Sequence, residues 1–291
     1  MTNLGKGVLA MLISALGFTV MAVCVKLAGD LPVVEKAIFR NAIAALLSGY
    51  LVWRNRTLFF GRRKNRKALL LRSIFGLLGV LLGFYSIDHL LLSDADMIMK
   101  LSPFILIGLS AVFLQENVSV RQIALCILAF IGVLLIIRPG LSSGTQQTAL
   151  FPYLIAIGGA VFAAAAYLML RVLALSTTPE SPYTIVFFFS FFSTIALIPP
   201  LIWQFEPMSF TQFGYLLLSG VMATVGQFGI TLAYRYASAK EVSIYSYASV
   251  IFAALFGITL FGQLPDLLNW LGYLLIFISG YLMFLLNRKA A

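Results

Sequence analysis

The stretch SDADMIMKLSPFILIGLSAVFLQE at residues 93–116 has a counterpart later in the chain, KEVSIYSYASVIFAALFGITLFGQ at residues 240–263. The two stretches align without gaps at a constant offset of 147 residues. Each copy is followed by a short polar break and then by a glycine-bearing apolar segment, at 121–136 and 269–286. This alignment with matched flanks indicates an internal duplication. Its alternative is the general likeness of any two apolar helices.

The composition places this duplication in a membrane. Hydrophobic residues make up 61% of the 291 residues and charged residues 10%, whereas charged residues make up roughly 25% of soluble domains. A transmembrane helix needs about 20 apolar residues, and the chain contains ten such segments. They run over 5–28, 33–53, 68–87, 95–114, 120–137, 150–171, 182–203, 211–234, 241–262 and 267–287. The composition excludes a soluble enzyme, a disordered chain and a disulfide-stabilised secreted protein.

The number of spans in each half determines how the halves are related. Five is odd, so the second half enters the membrane from the side opposite to the first. We therefore predict an all-α polytopic membrane protein with ten transmembrane helices, built as two inverted five-helix repeats at 1–144 and 145–291. Inverted repeats are typical of secondary transporters, whose solute site lies at the interface between the repeats.

Lysine and arginine predict the orientation, because they are enriched on the cytoplasmic side of membrane proteins. With the N-terminus inside, 15 of the 20 fall on the inner side, including the basic loop from Arg54 to Lys67 and Arg72 near the start of the third span. An even number of spans then puts both termini in the cytoplasm, in a multi-pass protein of the cytoplasmic membrane. The basic loop is a candidate contact for anionic lipids. Nucleic-acid binding is not expected, because the positive charges sit at helix ends and in this loop.

Three features in this order resemble the EamA-type transporters of the drug/metabolite transporter superfamily. They are Arg40 in VEKAIFRNAIAAL, the block LSPFILIGLSAVFLQENVSVRQIALCILAFIGVLLIIRPG at 101–140, and the echo of that block in the second half. The resemblance implies ten helices, alternating access and small organic solutes. It also implies that helices 1–4 and 6–9 surround a central cavity and that helices 5 and 10 are peripheral. The halves are chemically unequal, since Val250 is the counterpart of Pro103.

Charged residues inside apolar spans are the first candidates for solute contact, because a central Arg or Lys costs about 2.5–3.5 kcal/mol on insertion scales. Arg40 lies about seven residues into the second span, roughly 10 Å deep, and Asn41 follows it. Lys36, four residues before Arg40, is also a cation and offers no local neutralisation. Lys100 has Asp96 four residues before it, and that pair can neutralise itself. The alternative for both cations is a structural role.

Uncharged polar and aromatic side chains complete the predicted solute site. Gln227 lies near the middle of the eighth span, and Tyr245 and Ser249 share a face of the ninth span. Phe18 and Phe162 lie near the middles of the first and sixth spans, which correspond under the repeat. A planar solute can stack on such rings while Gln227 provides hydrogen bonds. Helix packing is the alternative for each of them, since the chain has 25 phenylalanines and a buried amide also joins helices.

Pro103 and His89 are further candidates. Pro103 removes a backbone donor in the fourth span, and such breaks act as hinges in transporters. Asp96 and His89, which follows Asp88 at the outer mouth, are candidates for proton coupling. With one histidine and two cysteines, no metal and no cofactor are expected. The G-x-S-x-G match at 140–144 has no suitable histidine partner for a hydrolase, so an enzyme is not expected.

The intramembrane cations favour a small organic solute with an anionic or zwitterionic group, which a secondary active transporter moves by alternating access. The alternatives are an exporter of amino acids or of neutral aromatic compounds and drugs, a lipid flippase, and a membrane protein without transport activity. An anionic solute would depend on Arg40, whereas a neutral aromatic solute would depend on Phe18, Phe162 and Gln227. Two five-helix halves form a complete pathway, so a monomer suffices.

Overall fold

The chain is almost entirely helical in a computed structural model that describes residues 2–115, 118–137, 150–174, 176–236 and 243–289. Eleven α-helices follow one another along these residues. They are α1 (Asn3–Leu27), α2 (Val33–Arg54), α3 (Arg66–His89), α4 (Leu92–Met99), α5 (Ser102–Phe113), α6 (Val120–Ile137), α7 (Leu150–Ala174), α8 (Pro182–Gln204), α9 (Phe210–Tyr236), α10 (Ala248–Phe261) and α11 (Leu267–Lys289). Short 3₁₀ segments at Arg63–Asn65 and Ser243–Tyr247 precede α3 and α10.

These helices form ten membrane spans. Eight helical stretches of the described residues are long and apolar enough to cross a membrane, and α4 with α5 counts as one of them. The other two spans are α2, which carries Glu35, Lys36 and Arg40, and the 3₁₀ segment continued by the 14 residues of α10. Helices satisfy their own backbone hydrogen bonds, which is the condition for crossing the hydrocarbon layer. The prediction of an all-α polytopic membrane protein is confirmed.

The contacts between helices repeat in the way that an inverted duplication requires. The first span, α1, packs along the eighth, α9, and the third span, α3, packs along the sixth, α7. The repeat relates the first span to the sixth and the third span to the eighth. The two interfaces are therefore equivalent by the pseudo-symmetry of the repeat. The remaining large contacts, α2 with α8 and α6 with α11, pair each span with its own counterpart. A pseudo-twofold axis between the halves accounts for all four.

The fourth and ninth spans change helix geometry at equivalent positions. In the fourth span α4 ends at Met99 and α5 begins at Ser102, so Lys100 and Leu101 form the break. In the ninth span the 3₁₀ segment ends at Tyr247 and α10 begins at Ala248, which are the counterparts of Lys100 and Leu101 at the offset of 147. Discontinuous helices in corresponding positions of both halves are a recurrent feature of transporters at the site that binds the solute.

Polar side chains tie the helix ends together on the side where α1 ends and α2 begins. Fully buried Lys36 donates hydrogen bonds to both carboxylate oxygens of Asp88, at 2.8 and 2.7 Å, and to the Gly29 carbonyl. Lys26 donates to the carbonyls of Ile87 and Leu90 at the end of α3, both at 2.7 Å. These contacts hold α1, α2 and α3 in register around the space that they enclose.

Candidate functional site

A cavity of about 240 Å³ lies between the two repeats. Its lining comes from α1, α2, α3 and α4 of the first half and from α7, α8, α9 and α10 of the second half, while the described parts of α6 and α11 contribute no lining residue. Spans 1–4 and 6–9 therefore surround the cavity. The lining is largely apolar, and its polar members are Thr19, Arg40, Arg72, Asp96, Lys100, Tyr167 and Gln227.

Arg40 projects from α2 into this cavity. The residue is 5% exposed, and its guanidinium carbon lies 5.7 Å from the centre of the Phe189 ring of α8. The Nη1 atom donates to Asn41 Oδ1 at 3.2 Å, whereas Nε has no hydrogen-bond partner among the described residues. Asn41 is not part of the lining. Its amide nitrogen donates to the Ala37 carbonyl at 2.8 Å, which fixes the oxygen that accepts from Arg40.

Arg72 is a second buried arginine at the cavity. Arg72, which the sequence places among the charges near the inner side of the membrane, belongs to the cavity lining. The side chain is 6% exposed and lies over the Phe189 ring, with the guanidinium carbon 3.9 Å from the ring centre. Neither Nε nor Nη1 has a hydrogen-bond partner within the described part of the chain.

A polar cluster at the α4–α10 contact joins the two halves. Asp96 accepts a hydrogen bond from Ser249 Oγ at 2.6 Å, and Lys100 Nζ lies 3.8 Å from the other carboxylate oxygen. The Ser249 carbonyl in turn accepts from Thr19 Oγ1 of α1 at 3.3 Å. Asp96 and Lys100 line the cavity, and Ser249 supports them from behind. This cluster therefore brings one anion and one cation to the same wall.

Only some of the predicted aromatic and amide residues line the cavity. Phe18 and Gln227 line the cavity, and Phe18 lies so close to Gly226 of α9 that a Cβ there would sit 2.8 Å from its ring. Phe162 is outside the lining and stacks on Phe75, with ring centres 6.3 Å apart. Tyr245 is 40% exposed and also lies outside the lining.

Pro103 and His89 lie away from the cavity. Pro103 is in the first turn of α5, directly after the break in the fourth span, where its missing backbone donor costs no helical hydrogen bond. The exposed His89 stacks on Tyr85 at 4.0 Å, and its Nδ1 is 2.8 Å from the Tyr85 carbonyl. The preceding Asp88 is held by Lys36. The G-x-S-x-G match at 140–144 lies outside the described residues.

The sequence held a signal for only one of the three cavity residues missing from the predicted site. Arg72 lies six residues into α3, beyond the flanking turn in which a basic residue reaches the interface. Tyr167 and Phe189 carry no such signal, because the sequence has many aromatic residues in similar surroundings. In the described part of the chain, no three His, Cys, Asp or Glu side chains are grouped as metal ligands.

Comparison with known proteins agrees with this architecture. The model of the EamA-like transporter family matches residues 5–138 and 150–285. The pseudopaline exporter CntI of Pseudomonas aeruginosa is 33% identical over 279 residues, which are 95% of each protein. The human solute carrier family 35 member G1 is 27% identical and covers 90% of this chain and 74% of its own. A solved crystal structure superimposes with a TM-score of 0.67 at 16% identity over 98% of this chain and 99% of its own.

Proposed function

The chain belongs to the EamA-like transporter family, a group of membrane transporters, and from this premise we propose that it moves a small organic anion through the cavity between its repeats. The transport is secondary and proceeds by alternating access. The two halves rock about the pseudo-twofold axis, so that the cavity opens to either side of the membrane in turn. Arg40 is the principal solute contact.

One observation carries the proposal, namely the surplus of positive charge in the cavity. The described lining contains three cations, Arg40, Arg72 and Lys100, and one acid, Asp96. Asp96 is next to Lys100, so the two arginines are left with uncompensated charge. Buried charges without a partner are strongly unfavourable, and an anionic solute supplies that partner. The solute gains most in the state in which both guanidinium groups reach it.

A zwitterionic solute such as an amino acid is the second candidate. Asp96 exposes part of its carboxylate to the cavity and can receive an ammonium group, while the arginines receive the carboxylate. Gln227 and Phe18 would contact the body of either solute. A purely neutral aromatic compound uses none of these charges and is the weaker candidate.

The location and direction belong to the same proposal. The protein lies in the cytoplasmic membrane with both termini in the cytoplasm, and the basic loop from Arg54 to Lys67 faces anionic lipids there. The name of the relative CntI describes it as an exporter of pseudopaline, which supports export as the direction for this chain. A monomer carries the whole pathway.

The experiment is a thermal-stability screen of the purified protein in detergent, followed by flux measurement in proteoliposomes. The panel contains carboxylates, phosphorylated metabolites, amino acids, nucleobases and organic cations. A ligand at 100 times its dissociation constant stabilises the native state by about 2.7 kcal/mol, which raises the melting temperature measurably. Arg40→Ala is compared with the wild type, and Arg54→Ala, an exposed position on the same helix, is the matched control.

The outcomes separate the candidates. Stabilisation by anions that is lost in Arg40→Ala and kept in Arg54→Ala, together with uptake of the same anions, supports the proposal. Stabilisation by amino acids that also requires Asp96 favours the zwitterion. If neutral rings or cations stabilise the protein and Arg40→Ala responds in the same way as the wild type, then the proposal of an anionic solute is wrong.

A further inference from the structure

The structure places two guanidinium groups on one aromatic ring. Arg40 comes from α2 and Arg72 from α3, both in the first repeat, and Phe189 comes from α8 in the second repeat. Arg40 and Arg72 together are the arginine pair, and Phe189 provides the ring that both contact. Phe189 is 3% exposed, so neighbouring side chains fix the ring on which the cations rest. The interaction of each cation with the ring face is attractive but neutralises no charge.

Gly76 makes room for this arrangement. A Cβ atom at Gly76 would lie 2.9 Å from the Phe189 ring and 3.0 Å from Arg72 Nη1. Any larger residue on this face of α3 therefore displaces the ring or the guanidinium. Gly76 is four residues after Arg72, which puts both on the same face of the helix. The helix surface is thus shaped to hold Arg72 against the ring.

The described residues leave three guanidinium nitrogens of the pair without a hydrogen-bond partner. Arg40 Nε, Arg72 Nε and Arg72 Nη1 are buried and lack hydrogen-bond partners among the described residues. Arg40 and Arg72 are buried and carry the same charge, so each raises the free-energy cost of burying the other. One carboxylate neutralises one of these charges, whereas two carboxylates neutralise both. A guanidinium also binds a carboxylate through two parallel hydrogen bonds.

We propose that the arginine pair selects solutes that carry two negative charges, and that Arg72 is the residue that distinguishes a dianion from a monoanion. This inference rests on the proposed transport of organic anions and names the charge of the transported solute. Two carboxylates or one phosphate monoester supply the same charge. Both guanidinium groups lie against the Phe189 ring, at 5.7 Å for Arg40 and 3.9 Å for Arg72.

The test measures binding of matched probes to the detergent-purified protein by thermal shift and by calorimetry. Benzoate and isophthalate differ by one carboxylate on the same ring, and phenyl phosphate presents a dianion on a single group. In the wild type we expect isophthalate or phenyl phosphate to bind about tenfold or more tightly than benzoate, since a hydrogen bond to a charged group contributes about 1.5–3 kcal/mol. Whichever dianion binds more tightly identifies the anionic group.

Two variants assign the preference to Arg72. Arg72→Gln is expected to abolish the tenfold preference, because it weakens binding of the dianions more than binding of benzoate, and Arg66→Gln, an exposed position on the same helix, keeps the preference. Without ligand, Arg72→Gln melts at the same temperature as the wild type or higher, because the variant removes a buried charge without a partner. Gly76→Ala keeps every charge but displaces Arg72, so it is expected to reduce the preference for dianions over benzoate. This variant provides the test if Arg72→Gln cannot be purified.

The result also separates this inference from the proposed function. Equal binding of benzoate and isophthalate to the wild type, or an unchanged preference in Arg72→Gln, overturns the role of Arg72. Flux of a monocarboxylate in proteoliposomes then leaves anion transport standing. If no carboxylate or phosphate binds and none is transported, then the proposed function itself fails.

Discussion

At the scale of single residues, the buried cations of this protein differ in what surrounds them. Lys36 is fully buried and bound to Asp88 and to the Gly29 carbonyl. Arg40, four residues later on the same helix, has no partner for its Nε among the residues that the structure describes. Lys36 therefore has the environment of a structural ion pair, whereas the Arg40 guanidinium is incompletely hydrogen-bonded, although both are cations in an apolar span.

This difference predicts the behaviour of the Lys36–Asp88 pair. Lys36→Met leaves a largely buried carboxylate alone, and we expect a loss of about 3–5 kcal/mol in the free energy of unfolding, as for other broken buried pairs. The double variant Lys36→Met/Asp88→Asn removes both charges and should recover much of that loss. Thermal melting of the singles and the double measures the coupling between the two residues. Additive effects of the two single changes would show that the pair does not act as a unit.

Arg40 and Arg72 show which site residues the sequence could reveal. Arg40 lies deeper in its apolar span than Lys36, so its depth marks it. Arg72 follows the basic loop closely and resembles a flanking residue that sets the orientation, because hydropathy gives depth and not the direction of a side chain. Phe18 and Phe162 lie near the middles of corresponding spans, yet only Phe18 lines the cavity, and the sequence does not show which ring faces it.

At the scale of helices, the break in the fourth span has a cause beyond proline. Pro103 follows the break directly, but Val250, its counterpart, follows an equivalent break in the ninth span. The sequence suggested a break through Pro103 and gave no sign of one in the second half, because no local residue there forbids a continuous helix. Proline therefore does not account for both irregularities.

This reasoning predicts a mild effect for Pro103→Ala. Pro103 is in the first turn of α5 and forfeits no helical hydrogen bond, so the melting temperature should change by about 1 °C or less, corresponding to less than about 1 kcal/mol for a chain of this length. Flux in proteoliposomes should also stay within about twofold of the wild type. Abolished transport in a protein that melts normally would instead establish Pro103 as a hinge.

The contact between α6 and α11 depends on two facing glycines. A Cβ at Gly132 would lie 2.9 Å from the Gly272 carbonyl oxygen and 2.8 Å from Ile276 Cγ1. Gly132→Ala must therefore separate the helices, and we expect a loss of about 1–3 kcal/mol from overpacking, measured by thermal melting. Ligand affinity should not change, because the described parts of α6 and α11 do not line the cavity. Gly108→Ala, where a Cβ meets open space, is the control, and an equal loss there would contradict this explanation.

At the scale of the whole molecule, the helices are arranged with pseudo-twofold symmetry, but the cavity that they enclose is lined by different residues from the two halves. The α1–α9 and α3–α7 interfaces are equivalent under the repeat, which allows one half to move against the other without new kinds of contact. The cavity cations all come from the first half, and the second half contributes Tyr167, Phe189 and Gln227. In the proposed function, the duplication accounts for the movement of the halves, and the divergence between them accounts for the selectivity.

The basic loop between α2 and α3 predicts how the protein is oriented in the membrane. Seven basic residues and no acid lie between Arg54 and Lys67, and such segments remain in the cytoplasm. In a background without Cys24 and Cys126, both of which are free thiols, we expect Arg63→Cys to react with a membrane-impermeant maleimide only after right-side-out vesicles are permeabilised. Leu264→Cys, 75% exposed between α10 and α11, should react in intact vesicles, because an odd number of membrane crossings separates the two loops. Reversed labelling would place the termini outside and would reverse the direction of transport assigned to the cavity, whereas labelling of both sites in intact vesicles would contradict the ten-span count.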